Sequence, residues 1–382
     1  MKPILPIVLA AALLTGTASA RLPAPPKELE SVPVALLVDL GSGQVLYARK
    51  PKLQFAPASM TKVMTAYVAF EELASGKLSE DQMLVVRPAT SREWKGKGTS
   101  MYLDAGDTVS VRDLLRGIMT ASANDASVVL AEGHAGSVSG WSALMNDAAS
   151  RLSMNSSRFN TPSGWPDGGK TYVSARDLVT LSNAMISRFP ELYRVYAGNK
   201  SFAWRDRVLT SYDPVTGVVA GADGIKTGYT KEAGYNFLGS AERDGRRLVM
   251  VVGGARSMDQ RDIASRAFLE WGFAAWQARP LFRKGETVAT AKVQQGDARQ
   301  VALIASKDIH AAVPQDETSR ISLKVIYPGP LNAPVAMGDE VAELEISVDG
   351  MAPSRIPLRA ARDIGSAGLM DRLWNGLMNL FA

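Results

Sequence analysis

Pro57-Ala58-Ser59-Met60-Thr61-Lys62 places a hydroxyl and an amine three residues apart at the start of a helical pattern. Residues at i and i+3 share a helix face, so Lys62 is expected within hydrogen-bond reach of Ser59. An uncharged Lys62 would take the hydroxyl proton, which is the nucleophile-and-base pair of acyl transfer without a histidine. The first helical turn leaves backbone N–H groups without partners. The amide of Ser59 is therefore predicted to stabilise the oxyanion that forms when its own oxygen attacks a carbonyl.

Two further motifs give this pair its weight, because one Ser-x-x-Lys is expected about once by chance in a chain of this length. They are Ser122-Ala123-Asn124 and Lys226-Thr227-Gly228. They stand in the order found in penicillin-binding proteins and class A β-lactamases. Ser-x-Asn recurs at Ser153-Met154-Asn155, whereas the other two motifs occur once each. The combination therefore indicates acyl-serine chemistry more strongly than any single motif.

Longer matches surround these motifs over almost the whole chain. They are Leu115-Arg116-Gly117-Ile118, Ser122-Ala123-Asn124-Asp125-Ala126, Asp223-Gly224-Ile225-Lys226-Thr227-Gly228-Tyr229-Thr230 and Ala233-Gly234-Tyr235-Asn236. On these residues the sequence resembles the serine D-alanyl-D-alanine carboxypeptidases of low molecular mass, the S11 peptidases that bind penicillin. The resemblance implies removal of the terminal D-alanine from peptidoglycan stem peptides through an acyl-Ser59 intermediate. It also implies that β-lactam antibiotics bind at the same site.

The sequence departs from the family pattern in two places. Such enzymes usually read Lys-Thr-Gly-His-Thr in the third motif, and Tyr229 stands here in place of the histidine. Because the oxyanion contact there is a backbone N–H, the change is expected to tune the substrate pocket more than to remove catalysis. Upstream, Val208-Leu209-Thr210-Ser211-Tyr212-Asp213-Pro214 replaces a segment that is often rich in Asn.

Lys62 acts as a base only if its pKa falls far below about 10.4. Burial disfavours the charged amine, and a second cation on a facing strand, Lys226, disfavours it further. Lys226 and the Thr227 hydroxyl are also predicted to bind the terminal carboxylate of the substrate. Gly228 is expected to let the substrate backbone approach the strand. The amide of Tyr229 is predicted to be the second oxyanion donor.

Ser122, Asn124 and an arginine are further candidates for the site. Ser122 is predicted to relay a proton between Lys62 and the leaving amine, and Asn124 to bind a substrate amide or to hold Lys62. A plain helix-capping turn is the alternative for both, in which Asn124 or Asp125 caps the helix that follows. Matching to the family pattern suggests Arg261 for carboxylate recognition. Arg256 is the other candidate for this role, and the alternative for either residue is an ordinary surface arginine.

Composition excludes several classes of site. The 382 residues contain no cysteine and only two histidines, His134 and His310. Neither histidine lies in a nucleophile-elbow pattern, and a zinc peptidase usually needs two or three histidines at helical spacing. No cofactor or metal is expected. The formal net charge of +5 is too weak to indicate nucleic-acid binding.

Hydrophobic patterning predicts an α/β catalytic domain over residues 32–279, and the resemblance implies the fold of β-lactamases and transpeptidases for it. Val34–Val38 and Gln44–Tyr47 flank a Gly-rich turn, and three more β runs follow at Gly224–Gly228, Tyr235–Ala241 and Arg247–Val252. Strands at both ends with helices between them suggest one antiparallel sheet covered by helices. Alternating patterns then predict a small all-β domain over residues 280–361.

The two ends predict where the protein works. Residues 1–20 fit a signal peptide, with Lys2, an apolar run and Ala18-Ser19-Ala20, and an uncleaved anchor is the alternative. Residues 21–31 are read as a linker. Residues 362–382 place leucines along one helical face, which favours an amphipathic helix in a membrane surface. A helix docked on its own domain and a dimer contact remain alternatives. We therefore expect an exported protein, anchored peripherally at the periplasmic face of the cytoplasmic membrane.

Three rival functions stay open at this point. A class A β-lactamase needs a glutamate to activate the deacylating water, and residues 160–171 offer only Asp167. A D,D-endopeptidase would share the active site but usually lacks the β domain and the tail. A catalytically idle wall-binding or penicillin-sensing protein would keep the fold, and intact Ser59, Lys62 and Lys226 count against it.

Overall fold

The computed structural model describes residues 7–9, 22–315 and 318–368. A short strand, β1 (Ile7–Leu9), is the described part of the predicted signal peptide, whose other residues lie outside the described ranges. Residues 369–382 of the predicted tail also lie outside them. Among the residues that the structure describes, no helix has the length and apolar character needed to cross a membrane.

The chain divides into two compact units. The first, called the catalytic unit below, comprises Pro25–Val38 and Leu46–Gly272. The second, called the β unit, comprises the described parts of Met1–Ala24, Asp39–Val45 and Phe273–Ala382. The predicted catalytic domain, residues 32–279, thus differs from the catalytic unit in the turn 39–45 and at both ends. Residues 25–31 of the predicted linker belong to the catalytic unit, and residues 273–279 belong to the β unit.

The catalytic unit contains a five-stranded sheet, two small two-stranded sheets and eight helices among its described residues. Its strands are β2 (Val34–Asp39), β3 (Val45–Arg49), β4 (Met83–Val85), β5 (Thr108–Ser110), β6 (Ser201–Trp204), β7 (Arg207–Thr210), β8 (Ala222–Thr230), β9 (Gly234–Arg243) and β10 (Arg246–Ala255). Its helices are α1 (Thr61–Ala74), α2 (Pro88–Trp94), α3 (Val111–Met119), α4 (Asn124–Ala135), α5 (Val138–Arg151), α6 (Ala175–Arg188), α7 (Pro190–Tyr196) and α8 (Met258–Ala274).

The five-stranded sheet joins the two ends of the catalytic unit, as the sequence predicts. Its strand order is β3-β2-β10-β9-β8, and β8, β9 and β10 pair antiparallel. All six residues of β2 are buried, so both faces of this central strand are covered. Strand β8 lies at the edge of the sheet. One side of β8 is therefore open to pair with another extended chain.

Helix α1 lies at the centre of the helical part of the catalytic unit. Its residues from Thr61 to Phe70 are all buried, which is typical of a helix surrounded by others. It contacts α3, α5 and α6. Helix α4 begins at Asn124 with Ala123 as its N-cap residue and no side-chain cap. The prediction that Asn124 or Asp125 caps this helix is therefore wrong. The Asn124 side chain bonds to Lys62 and to Lys97 O. The Asp125 carboxylate accepts from residues 100–103 and from the adjacent Ala126 N.

The β unit has alternating burial, which confirms the predicted all-β character. Its remaining strands are β11 (Trp276–Phe282), β12 (Thr287–Gln294), β13 (Gln300–Ala305), β14 (Ile309–Pro314), β15 (Ile321–Ile326), β16 (Leu331–Asn332), β17 (Glu340–Val348) and β18 (Ser354–Ala360). The larger sheet has the order β1-β15-β17-β18-β13-β12-β16, and β11 pairs with β14. Buried and exposed positions alternate strictly along β18, so one face of the sheet packs on a core.

Buried hydrogen bonds explain why the turn 39–45 belongs to the β unit. Asp39 Oδ1 lies 2.8 Å from His310 Nε2. Gln44 donates to the carbonyl of Ala312 at 3.0 Å and accepts from its N–H at 2.7 Å. Polar groups taken out of water must find partners, and these partners lie far along the chain. His310 is thus a structural residue of this unit.

The β unit extends beyond the predicted boundary at residue 361. Isolated bridges join Gly296 to Ser366 and Val335 to Ile364. The side chain of Ile364 is 1% exposed. Residues 362–368, which the sequence assigns to the tail helix, are therefore extended and packed on this unit.

Candidate active site

Ser59 lies in a tight turn that leads into α1. The turn is a single 3-10 helix, Ala58–Met60, in which the N–H of Met60 donates to Pro57 O at 3.1 Å. Ala58 has a φ of +49° and is 3% exposed. A residue with a Cβ adopts this left-handed conformation only at a cost of about 1 kcal/mol or more, so the surroundings must hold it. The turn is accordingly a fixed platform for the Ser59 hydroxyl.

Lys62 is completely buried and has three polar neighbours. Its Nζ lies 2.9 Å from Ser59 Oγ, 2.7 Å from Asn124 Oδ1 and 2.7 Å from Ser163 O. The last two atoms only accept hydrogen bonds. An uncharged amine has two N–H groups and one lone pair, so donating to those two acceptors leaves its lone pair for the Ser59 hydroxyl. This is the geometry of a general base.

The orientation of the Asn124 amide is fixed from its other end. Asn124 Nδ2 donates to Lys97 O at 2.9 Å, which leaves Oδ1 facing Lys62. The backbone N–H of Asn124 donates to Thr99 O at 2.8 Å. Asn124 therefore holds Lys62, which is one of the two roles that the sequence left open.

The pKa of Lys62 lies well below its usual 10.5. Burial is the largest cause, the positive charge of Lys226 lowers the pKa further, and Asp125 opposes both. Removing an amine from water penalises its charged form. Lys62 is thus prepared to lose its proton under mild conditions.

Lys226 is the second buried amine of the site, on strand β8. It is 3% exposed, and burial lowers its pKa to about 7. Asp213 acts to raise this pKa and Arg261 to lower it. A carboxylate bound beside Lys226 would favour the protonated form. The ammonium is therefore formed best when an anionic ligand is present.

A cleft of about 750 Å³ brings most of the predicted residues together. Its lining comprises Ser59, Gly98, Thr99, Ser122, Asn124, Gly164, Trp165, Pro166, Tyr212, Thr227, Gly228, Tyr229, Thr230, Lys231, Glu232, Tyr235, Met258 and Arg261. Lys62 and Lys226 are not part of this lining. Ser122 lies between α3 and α4 with a φ of +62°. The three motifs, far apart in sequence, thus meet at one site.

Arg261 lines the cleft, and Arg256 is not among its lining residues. Arg261 is 3% exposed, and its guanidinium donates to Tyr212 O at 3.2 Å and pairs with Asp262 at 2.6 Å. Its charge also acts on Lys226. The geometry therefore favours Arg261 over Arg256 for binding an anionic group in the cleft.

Two glycines allow other segments to approach the Ser59 turn. A Cβ on Gly228 would lie 2.4 Å from Pro57 O, and a Cβ on Gly164 would lie 1.8 Å from Ala58 O. Gly164 also has a φ of +73°. The sequence interpretation has Gly228 making room for a substrate. In the structure its missing side chain makes room for the protein's own turn, so that β8 and Ser59 lie together.

Tyr229 projects from the edge strand and stacks on a second tyrosine. The rings of Tyr229 and Tyr235 have centroids 4.1 Å apart at an interplanar angle of 29°. Tyr229 remains 50% exposed, and Tyr212 and Met258 on the same cleft are 55% and 47% exposed. This wall of the cleft is therefore apolar and open.

Sequence reasoning missed the Ser163 carbonyl and the contacts of Asp125. Lys62 lies 101 residues before Ser163, and a backbone acceptor has no sequence signature. Asp125 was considered only as a helix cap. The Gly-rich stretch around Gly164 was the one available signal of a close backbone approach.

Comparison with known proteins gives two family matches. Residues 22–257 match the family model described as D-alanyl-D-alanine carboxypeptidase, peptidase S11. Residues 276–366 match the model of the C-terminal domain of penicillin-binding protein 5.

Individual relatives agree with these matches. The chain is 34% identical over 348 residues to D-alanyl-D-alanine carboxypeptidase DacD of Salmonella typhimurium, covering 88% of this chain and 87% of that protein. It is 31% identical over 350 residues to DacA of Haemophilus influenzae, covering 90% and 88%.

Solved structures show the same likeness. Penicillin-binding protein 5 of Haemophilus influenzae has a TM-score of 0.75 and 30% identity, covering 90% of this chain and 99% of that chain. Penicillin-binding protein D2 of Listeria monocytogenes, solved in its ampicillin-bound form, has a TM-score of 0.57 and 31% identity, covering 64% and 97%.

Proposed function

The chain belongs to the peptidase S11 family of D-alanyl-D-alanine carboxypeptidases, and from this we propose that it removes the terminal D-alanine from peptidoglycan stem peptides through an acyl-Ser59 intermediate. The observation that carries the proposal is the buried Lys62 amine, 2.9 Å from Ser59 Oγ and held by two acceptors. Matching residues of the three motifs line one cleft.

Acylation begins with proton transfer from Ser59 Oγ to Lys62 Nζ while the oxygen attacks the carbonyl of the penultimate D-alanine. The backbone N–H groups of Ser59 and Tyr229 are the proposed oxyanion donors. Ser122 passes a proton to the leaving amine, so free D-alanine departs and an ester remains on Ser59. Water then attacks that ester and regenerates the hydroxyl.

Substrate recognition depends on the anionic end of the peptide. Lys226 and Arg261 supply positive charge near the cleft, and the Thr227 hydroxyl lines it. Strand β8 lies at the sheet edge, where an extended peptide can pair with it. A β-lactam carries a similar carboxylate beside a reactive amide, so we propose that penicillins acylate Ser59 as well. The ampicillin-bound relative supports this.

Intact-mass measurement after penicillin exposure tests the proposal. The native chain should gain the mass of one penicillin, and Ser59→Ala should gain none. Release of free D-alanine from a diacyl-D-alanyl-D-alanine peptide then separates a carboxypeptidase from a non-catalytic penicillin sensor. Acylation without any D-alanine release would exclude carboxypeptidase activity.

The rival functions have less support from the site. The loop of residues 160–171 contains no glutamate, and its Asp167 accepts hydrogen bonds from Thr171 N and Oγ1. A class A β-lactamase base is therefore missing from this loop. A D,D-endopeptidase would use the same residues, and cleavage of crosslinked dimers compared with monomers distinguishes it.

We also propose that the protein is exported and held at the periplasmic face of the cytoplasmic membrane by its last residues. The support is the signal-peptide pattern of residues 1–20 and the leucine spacing after Gly368. A chain ending at Gly368 keeps the Ile364 and Ser366 bridges of the β unit. It should lose sedimentation with anionic vesicles that the full mature chain shows, and continued binding would refute the anchor.

A further inference from the structure

A loop next to the cleft is bonded closely to the turn that carries Ser122 and Asn124. Residues 97–103 form this loop, called the clamp loop below, and its Gly98 and Thr99 line the cleft. Thr99 Oγ1 donates to Ser122 O at 2.6 Å. Asn124 donates twice to the loop, from its backbone N–H to Thr99 O at 2.8 Å and from Nδ2 to Lys97 O at 2.9 Å.

The carboxylate of Asp125 anchors the other end of the clamp loop. Asp125 Oδ2 accepts from Ser100 Oγ at 2.6 Å and from Leu103 N at 3.2 Å, and Oδ1 accepts from Met101 N at 2.9 Å. Asp125 is 1% exposed. A carboxylate has acceptors on both oxygens, so it satisfies these three loop donors together with the adjacent Ala126 N at 2.9 Å, whereas an amide accepts through one oxygen only. Charge-assisted bonds of this kind are strong.

These contacts continue to the nucleophile. The clamp loop fixes the Asn124 amide through Lys97 O, and Asn124 Oδ1 receives Lys62 at 2.7 Å. Lys62 in turn lies 2.9 Å from Ser59 Oγ. A rotation of the Asn124 amide would present Nδ2 to Lys62, and two donors would then face each other.

We propose that Asp125 is a positioning residue of the acyl-transfer reaction, whose buried carboxylate holds the clamp loop and thereby orients the Asn124 amide toward Lys62. The inference deepens the proposed function and rests on it. Asp125 acts through the loop and makes no hydrogen bond to Lys62 among the described contacts.

The charge of Asp125 also affects Lys62. Lys226 on β8 lowers the pKa of Lys62, and Asp125 on α4 raises it. The residues that directly contact the Lys62 amine, Ser59, Asn124 and Ser163, carry no charge. Neutralising Asp125 therefore lowers this pKa. Loss of the Asn124 acceptor acts in the same direction, because it removes a hydrogen bond from the protonated amine. The acid limb of the acylation pH profile should consequently move to lower pH.

Asp125→Asn tests the inference against a matched control, Asp177→Asn. Asp177 is also a buried carboxylate near a helix start, and it holds Ser156 N at 2.9 Å and Ser157 Oγ at 2.7 Å, away from the cleft lining. We expect Asp125→Asn to slow Ser59 acylation by penicillin about 10- to 100-fold and to shift the acid limb. Asp177→Asn should lower stability while keeping the native rate and profile.

Ser100→Ala removes the hydrogen bond from Ser100 Oγ to Asp125 and keeps the charge of Asp125. It is the second test variant if Asp125→Asn does not fold. It should slow acylation about 3- to 10-fold, with a smaller shift of the acid limb than in Asp125→Asn, because the charge of Asp125 remains. A folded Asp125→Asn with native rate and profile would overturn the inference, as would a native rate in Ser100→Ala. Absence of Ser59 acylation in the native chain would instead refute the proposed function.

Discussion

The residues around Lys62 determine whether its amine can act as a base. It is completely buried, it meets two acceptors that cannot donate, and Lys226 opposes its positive charge. In water the same side chain would be almost fully protonated at neutral pH. At the scale of single residues, the reaction therefore depends on removing one amine from solvent.

Lys62→Met keeps the length of the side chain and removes the base. We expect the second-order rate constant for penicillin acylation to fall about 10³-fold, within the range that general bases contribute. Stopped-flow measurement with a fluorescent penicillin determines the rate. A rate within tenfold of the native value would contradict Lys62 as the base.

Lys226→Met is expected to change both the stability of the chain and its binding of substrate. The pKa of Lys226 is about 7 in the folded chain and 10.5 in the unfolded chain, so the unfolded state binds more protons between these values. Stability of the native chain should therefore rise with pH from about 7 to 10.5, relative to the variant. At pH 7 the variant should be more stable than the native chain by about 1–3 kcal/mol, because methionine replaces a buried amine whose charged form is penalised by burial.

The same variant should raise KM for a peptide that ends in a free carboxylate. Denaturant unfolding at several pH values and steady-state kinetics provide both measurements. If the unfolding free energies of the native chain and the variant changed in parallel with pH, the pKa of Lys226 would not be lowered in the folded chain.

At the scale of elements, the loop of residues 160–171 and strand β8 both approach the Ser59 turn more closely than side chains allow. Gly164 and Gly228 permit this, as the distances from their virtual Cβ atoms show. The loop supplies the Ser163 carbonyl to Lys62, so its approach sets the geometry of the base.

Gly164→Ala should displace this loop, because the added Cβ would lie 1.8 Å from Ala58 O. We expect a loss of about 2–3 kcal/mol in unfolding free energy. Penicillin acylation should fall about 10²-fold, since small misplacements of catalytic groups have effects of that size.

Gly168→Ala is the matched control in the same loop. Gly168 has a φ of +72°, close to that of Gly164, but an added Cβ meets nothing within 4 Å. It should lose about 1 kcal/mol from backbone strain alone and keep the native acylation rate. Equal rates in the two variants would show that loop approach is unimportant.

At the scale of the whole molecule, segments distant in sequence form each unit. The turn 39–45 lies between two strands of the catalytic sheet, yet its buried polar groups bond within the β unit. The Asp39 and His310 pair is central to this, because Asp39 is completely buried.

His310→Leu should lower the unfolding free energy by about 2–3 kcal/mol, because it leaves the buried Asp39 carboxylate without its ring partner. His134→Leu is the matched control. His134 lies 2.9 Å from Glu72, whose carboxylate is not completely buried and also lies 3.8 Å from Lys77 Nζ. Glu72 keeps this charged neighbour when His134 is removed, so the loss should be about 1 kcal/mol or less. Denaturant titration compares the two, and equal losses would contradict the central role of the Asp39 pair.

The sequence by itself determined the chemistry and the fold class. Ser59 and Lys62 are three residues apart, so a helical turn suffices to bring them together, and the strands follow from alternating side chains. Strands lie at both ends of the catalytic segment with helices between them, and this order of elements predicts one sheet that the helices cover. These features are local, which is why composition, spacing and resemblance were enough to predict them.

Only the tertiary structure decided which groups control the amine and where the units begin and end. The position of the Ser163 carbonyl, the bonds of the clamp loop, the place of Arg261 in the cleft lining and the grouping of the turn 39–45 all arise from contacts over long sequence separations. Burial also sets the protonation of Lys62 and Lys226, and solvent exclusion is a property of the packed whole rather than of any segment.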